Sequence, residues 1–109
     1  MIYLATAFSH PLKSVMKLRY ELANVAAAIL MQEGHVVFSP ISHSYPISKY
    51  LHNYGDHNFW MNQDMPILKN CSEMIIIDDP NQAWKESKGV NEEISNAQAW
   101  EIPWKVRKF

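Results

Sequence analysis

The stretch IYLATAFSHPLKSVMKLRYELANVAAAILMQEGHVVFSP, residues 2–40, decides the fold. It opens with Ile2 to Ala5, a short apolar run closed by Thr6 and the Phe8-Ser9-His10-Pro11 turn, which reads as a buried first strand. From Leu12 to Glu33 the period changes. Val15, Leu18, Leu22, Val25, Ala26, Ile29 and Leu30 recur at helical spacing, with Lys13, Lys17, Glu21 and Asn24 between them. Gly34 supplies the left-handed residue that stops the helix, and His35 to Phe38 is a second strand ended by Ser39-Pro40. A helix between successive strands forces parallel pairing and a right-handed crossover.

Outward from this unit the alternation continues. Ser39 to His57 reads as a long polar and aromatic loop carrying Tyr50, His52, Tyr54 and Gly55. Asn58 to Asn70 follows as a helix in which Pro66 either makes a kink or opens a second short helix. Met74 to Ile77 is the third strand, ended by Asp78-Asp79-Pro80, and a loop with Trp84, Ser87 and Gly89 leads into a helix from about Val90 to Trp100. Pro103 to Val106 closes the chain as an edge strand, since Pro103 cannot donate to a ladder. The order β-α-β-α-β-α-β predicts one α/β domain over residues 1–109, a three-layer parallel sheet with helices on both faces. Ligands bind such sheets beyond the carboxyl ends of the strands, here Thr6 to His10, Ser39 to His43 and Asp78 to Gly89.

Composition narrows the partners. The formal net charge is −1 with no run of like charges, which gives duplex nucleic acid nothing to hold. Lys105, Arg107 and Lys108 form a short basic tail that a solvated terminus explains equally well. The single cysteine, Cys71, reads as a buried structural thiol, fits a reducing compartment and allows no internal disulfide. The first residues lack a basic n-region and a long apolar core, so no signal peptide is expected. No apolar run approaches the roughly 18 residues that cross a membrane. A cytoplasmic protein is the expectation. Trp100, Trp104 and Phe109 exceed what one small core needs and point to a homodimer or larger assembly.

Three glycines leave no room for a G-x-G-x-x-G or Walker loop. The five histidines show no metal-ligand spacing with cysteine or carboxylate, so neither metal nor cofactor is expected. The informative segment is Ser87-Lys-Gly-Val-Asn-Glu-Glu-Ile-Ser-Asn-Ala97. A helix starting near Gly89 points free N–H groups and its positive dipole end at the ligand face. Ser87 either adds a hydroxyl to that anion site or simply caps the helix. Val90, Ile94 and Ala97 define the buried stripe. Glu93 lies along it, an expensive place for a charge without a role, whereas Glu92 points away as an ordinary first-turn acid. Asp64 stands four after Trp60 and four before Leu68. It faces the apolar side of a continuous helix, or caps a short one with Pro66 in its first turn.

Tyr3-Leu-Ala, the Gly-His-Val-Val-Phe-Ser-Pro second strand, Trp60-x-x-x-Asp64 and Ser87-x-Gly-Val-x-x-Glu93-Ile-x-x-Ala97 together resemble the nucleoside 2-deoxyribosyltransferase superfamily. Small phage and bacterial members and nucleoside 5′-monophosphate N-glycosidases are the nearest in pattern. The resemblance runs over nearly the whole chain and implies a Rossmann/flavodoxin-like fold that cleaves the bond between a base and (deoxy)ribose. It assigns Glu93 to the anomeric carbon, Tyr3 to holding that glutamate, and Asp64 to the sugar hydroxyl or the departing base. A carboxylate at the anomeric carbon and an acid at the leaving group suit an oxocarbenium-like transition state.

Ser87 stands where relatives acting on unphosphorylated nucleosides carry an acid, which implies a 5′-monophosphate. Ser87 and Gly89 then bind substrate. Ser9 and His10, with Arg19, stand in part for the phosphate loop after the first strand. Ser42 and His43 line the base or sugar pocket, or are plain loop residues. The leading expectation is an N-glycosidase acting on a small-molecule nucleotide. A deoxyribosyltransferase, a binder that sequesters nucleotide without turnover and a purely structural module are its alternatives.

Overall fold

A computed structural model describes residues 1–52 and 55–109; Tyr54, read above as part of the aromatic loop, lies outside the described residues. Among the described residues, strands β1 (Ile2–Ala5), β2 (Val37–Phe38), β3 (Glu73–Ile77) and β4 (Trp104–Arg107) pair in parallel in the order β2-β1-β3-β4. Helices α1 (Lys13–Gln32), α2 (Pro40–Ser48), α3 (His57–Lys69) and α4 (Lys88–Ala99) connect them, with a 3₁₀ turn at Ala83–Lys85 before α4.

Every residue of β1 is buried, and the two-residue period of a strand sends alternate side chains to opposite faces. Ile2 and Leu4, with Ile75 and Ile77 of β3, pack on Ala23, Ala26, Ala27 and Leu30 of α1. Tyr3 and Ala5, with Met74 and Ile76, pack on Leu68 of α3 and on Val90 and Ala97 of α4. The sheet is therefore covered on both faces, the three-layer Rossmann-like arrangement that strand–helix alternation predicts. The same parity puts the Tyr3 ring under α3 and α4. Cys71 is buried in that second core, and β4 lies at the sheet edge as expected, although it starts at Trp104 and leaves Pro103 just outside the ladder.

Three local expectations change. The α1 stripe is rotated: Leu18 is 68% exposed and Val25 54%, while Ala23, Ala26 and Ala27 are buried. Small side chains let the helix lie close on the sheet, and the bulkier residues turn outward. Nearly half of the predicted 39–57 loop is α2, with Pro40 at its first turn after an extended Ser39. Proline there loses no bond, since the first-turn N–H has no intrahelical acceptor. Finally, α3 runs unbroken through Pro66, so Asp64 shares the buried side with Leu68 and does not start a second helix.

Trp100 and Trp104 are partly buried against one core and Phe109 against the other, so the chain itself uses part of these aromatics. Arg107 belongs to β4 and holds Glu33 at the end of α1 through two guanidinium bonds of 2.8 and 2.6 Å. Among the described residues no helix is long and apolar enough to cross a membrane.

Gly34 ends α1 at φ +96°, with His35 N–H donating to Leu30 and Gly34 N–H to Met31, the double bond of a Schellman motif. A Cβ on Gly34 would meet nothing within 4 Å, so the left-handed backbone alone sets the cost of a side chain. Gly34→Ala should destabilise by about 1 kcal/mol, a fall in Tm of about 4–8 °C by calorimetry.

Candidate functional site

Beyond the carboxyl ends of β1 and β3, where the strand order reverses, lies a cavity of about 1100 Å³. The β1–α1 loop contributes Thr6 and Ser9, α2 contributes Ser44 and Tyr45, and α3 contributes His57, Trp60 and Asp64. Ser87, Gly89 and Glu93 come from the start of α4. The approach to α4 is pinned by acids at the end of β3. Asp78 accepts from the Trp84 indole N–H at 3.0 Å, and Asp79 from the Ala83 N–H at 2.9 Å.

Helical phase sets the floor. On α4, Val90, Glu93 and Ala97 form the buried face, and Glu93 is only 5% exposed. On α3, Asp64 is 8% exposed, and Tyr3 of β1 is fully buried beneath both. Burial pushes the Glu93 carboxyl up to about 8; the neighbouring Tyr3 hydroxyl works against this, and the charges of Asp64 and Glu92 add to it. Burial likewise lifts Asp64 to about 6. Tyr3 is raised well above the ordinary phenol range by burial and then by the negative charges of Glu93 and Asp64. The Tyr3 hydroxyl closes no hydrogen bond of standard geometry among the described residues, yet it stands near enough to Glu93 for each to shift the other. Two acids and a phenol thus sit together, buried at the floor of the cavity.

Ser87 meets the capping expectation. Its Oγ caps α4 by accepting the Val90 N–H at 3.2 Å, and the residue also lines the cavity. The amides of Lys88 and Gly89, in the first turn, have no intrahelical acceptor. The Thr6 hydroxyl, at the end of β1, is buried against the cavity without a hydrogen-bond partner among the described residues. An unpaired buried hydroxyl is costly unless a ligand satisfies it. Lys13, Arg19, Lys49 and Lys88 line the same space, against Asp64, Glu86 and Glu93. Burial holds two of those three acids towards neutrality, so the balance favours an anion.

Of the other predicted residues, some reach the cavity and some do not. Ser9 lines the cavity, but its carbonyl, with that of Phe8, accepts from the Arg19 guanidinium at 2.8 and 3.2 Å. Arg19 therefore spends one nitrogen holding the loop. His10 is a turn residue, its Nδ1 accepting from Leu12 N–H at 3.0 Å, and is not among the cavity-lining residues. Neither are Ser42 and His43: Ser42 bonds Ser39 at 2.7 Å, and His43 is exposed beside the Phe38 ring. Both belong to α2, which turns them away. Glu92 is not the first-turn acid expected, because α4 starts at Lys88 and has no acid in its first turn; instead its Oε2 lies 2.5 Å from Nε2 of cavity-lining His57. His57 carried a readable signal, since residues 57, 60, 61 and 64 recur at i, i+3, i+4 and i+7 on one face of α3. Thr6, Ser44 and the lysines had none beyond position.

No three His, Cys, Asp or Glu side chains among the described residues converge in a way that could hold a metal ion. Fold and site together define a Rossmann-like α/β protein with a buried Tyr–Asp–Glu cluster below an anion-favouring cavity. The chain belongs to the family described as a domain of unknown function (DUF1937), whose model matches residues 1–106. Among curated proteins, none matches the chain.

Proposed function

We propose that this protein hydrolyses the N-glycosidic bond of a nucleoside 5′-monophosphate, releasing the base and a (deoxy)ribose 5-phosphate. The observation that carries the reading is Glu93: a carboxyl at 5% exposure, with Tyr3 and Asp64 as neighbours, at the floor of an open cavity. Core stability gains nothing from such a group. A sugar whose anomeric carbon is becoming positive does. The resemblance to nucleoside deoxyribosyltransferases supports the same assignment.

In the first step Glu93 attacks the anomeric carbon as the bond to the base nitrogen breaks, and Asp64 delivers the proton that the departing base needs. Water, deprotonated by Asp64, then opens the glycosyl ester and frees Glu93. An acceptor base in place of water gives transfer by the same route. Tyr3 orients Glu93. Between about pH 6 and about 8 the pair holds one proton, which rests mainly on Glu93; the reactive form is the minor one in which that proton has passed to Asp64, leaving Glu93 a carboxylate.

The phosphate belongs at the first turn of α4, where Ser87 and the Lys88 and Gly89 amides favour an anion, with Lys13 lining the same cavity. The test compares kcat/KM, or Kd where turnover is absent, for each nucleoside and its monophosphate. The monophosphate should win by roughly 5- to 150-fold. Ser87→Ala should lose part of that margin and, with its cap, about 1 kcal/mol of stability. Ser87→Asp keeps a good cap and sets a negative charge against the phosphate, so it should abolish the margin without the stability loss. Equal handling of both members by the wild type would remove the phosphate from the proposal.

A further inference from the structure

With Ser42 and His43 turned away from the cavity, base recognition is left without a residue. We propose that His57, fixed by Glu92, reads the base by accepting a hydrogen bond from a donor on the base edge; this rests on the cavity being a nucleotide site. His57, Trp60 and Asp64 line the cavity at i, i+3 and i+7 of α3, a single helical face. A rise of about 1.5 Å per residue sets His57 roughly 10 Å from Asp64, towards the start of the helix. Asp64 belongs with the bond that breaks. A base extending from that bond along α3 passes Trp60 and presents its far edge to His57.

The contact with Glu92 determines what His57 offers. A carboxylate can only accept, so the 2.5 Å contact places a proton on Nε2, and in the neutral imidazole, the form the proposal invokes, Nδ1 keeps its lone pair. Nδ1 has no hydrogen-bond partner among the described residues. As a brace between α3 and α4 the pair offers little, because the Glu92 side chain is 43% exposed and half-exposed pairs contribute weakly to stability. As a way of fixing a tautomer on a cavity wall, it has a clear use. Glu92 is then a positioning residue, and His57 the residue that touches the ligand.

The test uses 5′-monophosphates in pairs that differ by one base donor: adenine and unsubstituted purine, cytosine and 2-oxopyrimidine, hypoxanthine and its 1-methyl form, uracil and its 3-methyl form. The wild type should favour the donor-bearing member of at least one pair by about 10-fold or more, in kcat/KM and in Kd. In His57→Ala that ratio should fall to within about 2-fold. Glu92→Ala should move it the same way, the double variant should go no further, and Glu92→Gln, whose amide oxygen still accepts from Nε2, should keep most of it. Loss of the Glu92 charge also acts on Glu93, but on both members of a pair alike, so the ratio isolates His57. Should His57→Ala fail to fold, Glu92→Ala reports the same ratio. No preference in the wild type, or a preference that survives both alanine variants, overturns the proposal. Nucleotides that bind with the preference but release no base overturn the hydrolase reading alone, and nucleotides that do not bind overturn both.

Discussion

Glu93→Gln should release base roughly 10³-fold more slowly than the wild type, or slower still, and yet be the more stable protein. The rate falls because an amide neither attacks the anomeric carbon nor balances its charge. Stability moves the other way because folding lifts Glu93 from its ordinary 4.5 to about 8. As pH rises above 4.5 the unfolded chain gives up this proton and the folded chain keeps it. The contribution to stability is therefore full below about 4.5 and is lost progressively as pH rises through about 8. Asp64, lifted from 3.8 to about 6, acts with the same sign over its own lower window. Removing the Glu93 ionisation should raise Tm by about 5–15 °C at pH 8 and change it little at pH 4.5. Calorimetry at the two pH values, beside base release for the same variant, checks both halves. A variant that is inactive and less stable at pH 8 would make Glu93 a structural residue.

A second large effect concerns Asp64. Turnover needs one carboxylate and one carboxylic acid in the pair, so the wild-type rate should be bell-shaped in pH, with limbs near 6 and 8. Asp64→Asn should reduce kcat by about 10²- to 10⁴-fold for a natural base, which leaves poorly without a proton. The profile should also change shape. With the acid gone the falling limb disappears. A single rising limb remains, its midpoint below 8 because the Asp64 charge no longer opposes ionisation of Glu93. An aryl glycoside whose leaving group needs no proton should recover most of the loss. Unchanged limbs in Asp64→Asn would assign the titration to other groups.

How much of this was legible in the sequence depends on how local each determinant is. The α4 face was legible because Val90, Glu93 and Ala97 repeat at helical spacing in a segment with one clear start signal, Ser87. The sheet was legible because apolar runs at Ile2, Val37 and Met74 alternate with helix-length segments. The rotation of α1 was not, because periodicity ranks Leu18 and Val25 above alanine by hydrophobicity, whereas contact with a sheet at close range selects Ala23, Ala26 and Ala27 by size. Helix α2 was hidden by its own composition, serines, aromatics and an internal Pro46, although Ser39-Pro40 is a legitimate helix start. That one misreading carried Ser42 and His43 into the pocket and left His57 out. The Thr6 hydroxyl and the His57–Glu92 contact depend on which elements meet in space, and a linear pattern holds no record of that.

The most direct measurement is chromatography of free base after the wild-type protein meets a panel of nucleosides and nucleoside 5′-monophosphates, each run beside Glu93→Ala. Hydrolysis of a monophosphate predicts base and sugar 5-phosphate in equal amounts from at least one nucleotide, with release by Glu93→Ala lower by roughly 10³-fold. No base from any nucleotide, with enzyme and substrate at equal concentration overnight, or equal release by the wild type and Glu93→Ala, would contradict the assignment of this cluster to glycosidic bond cleavage.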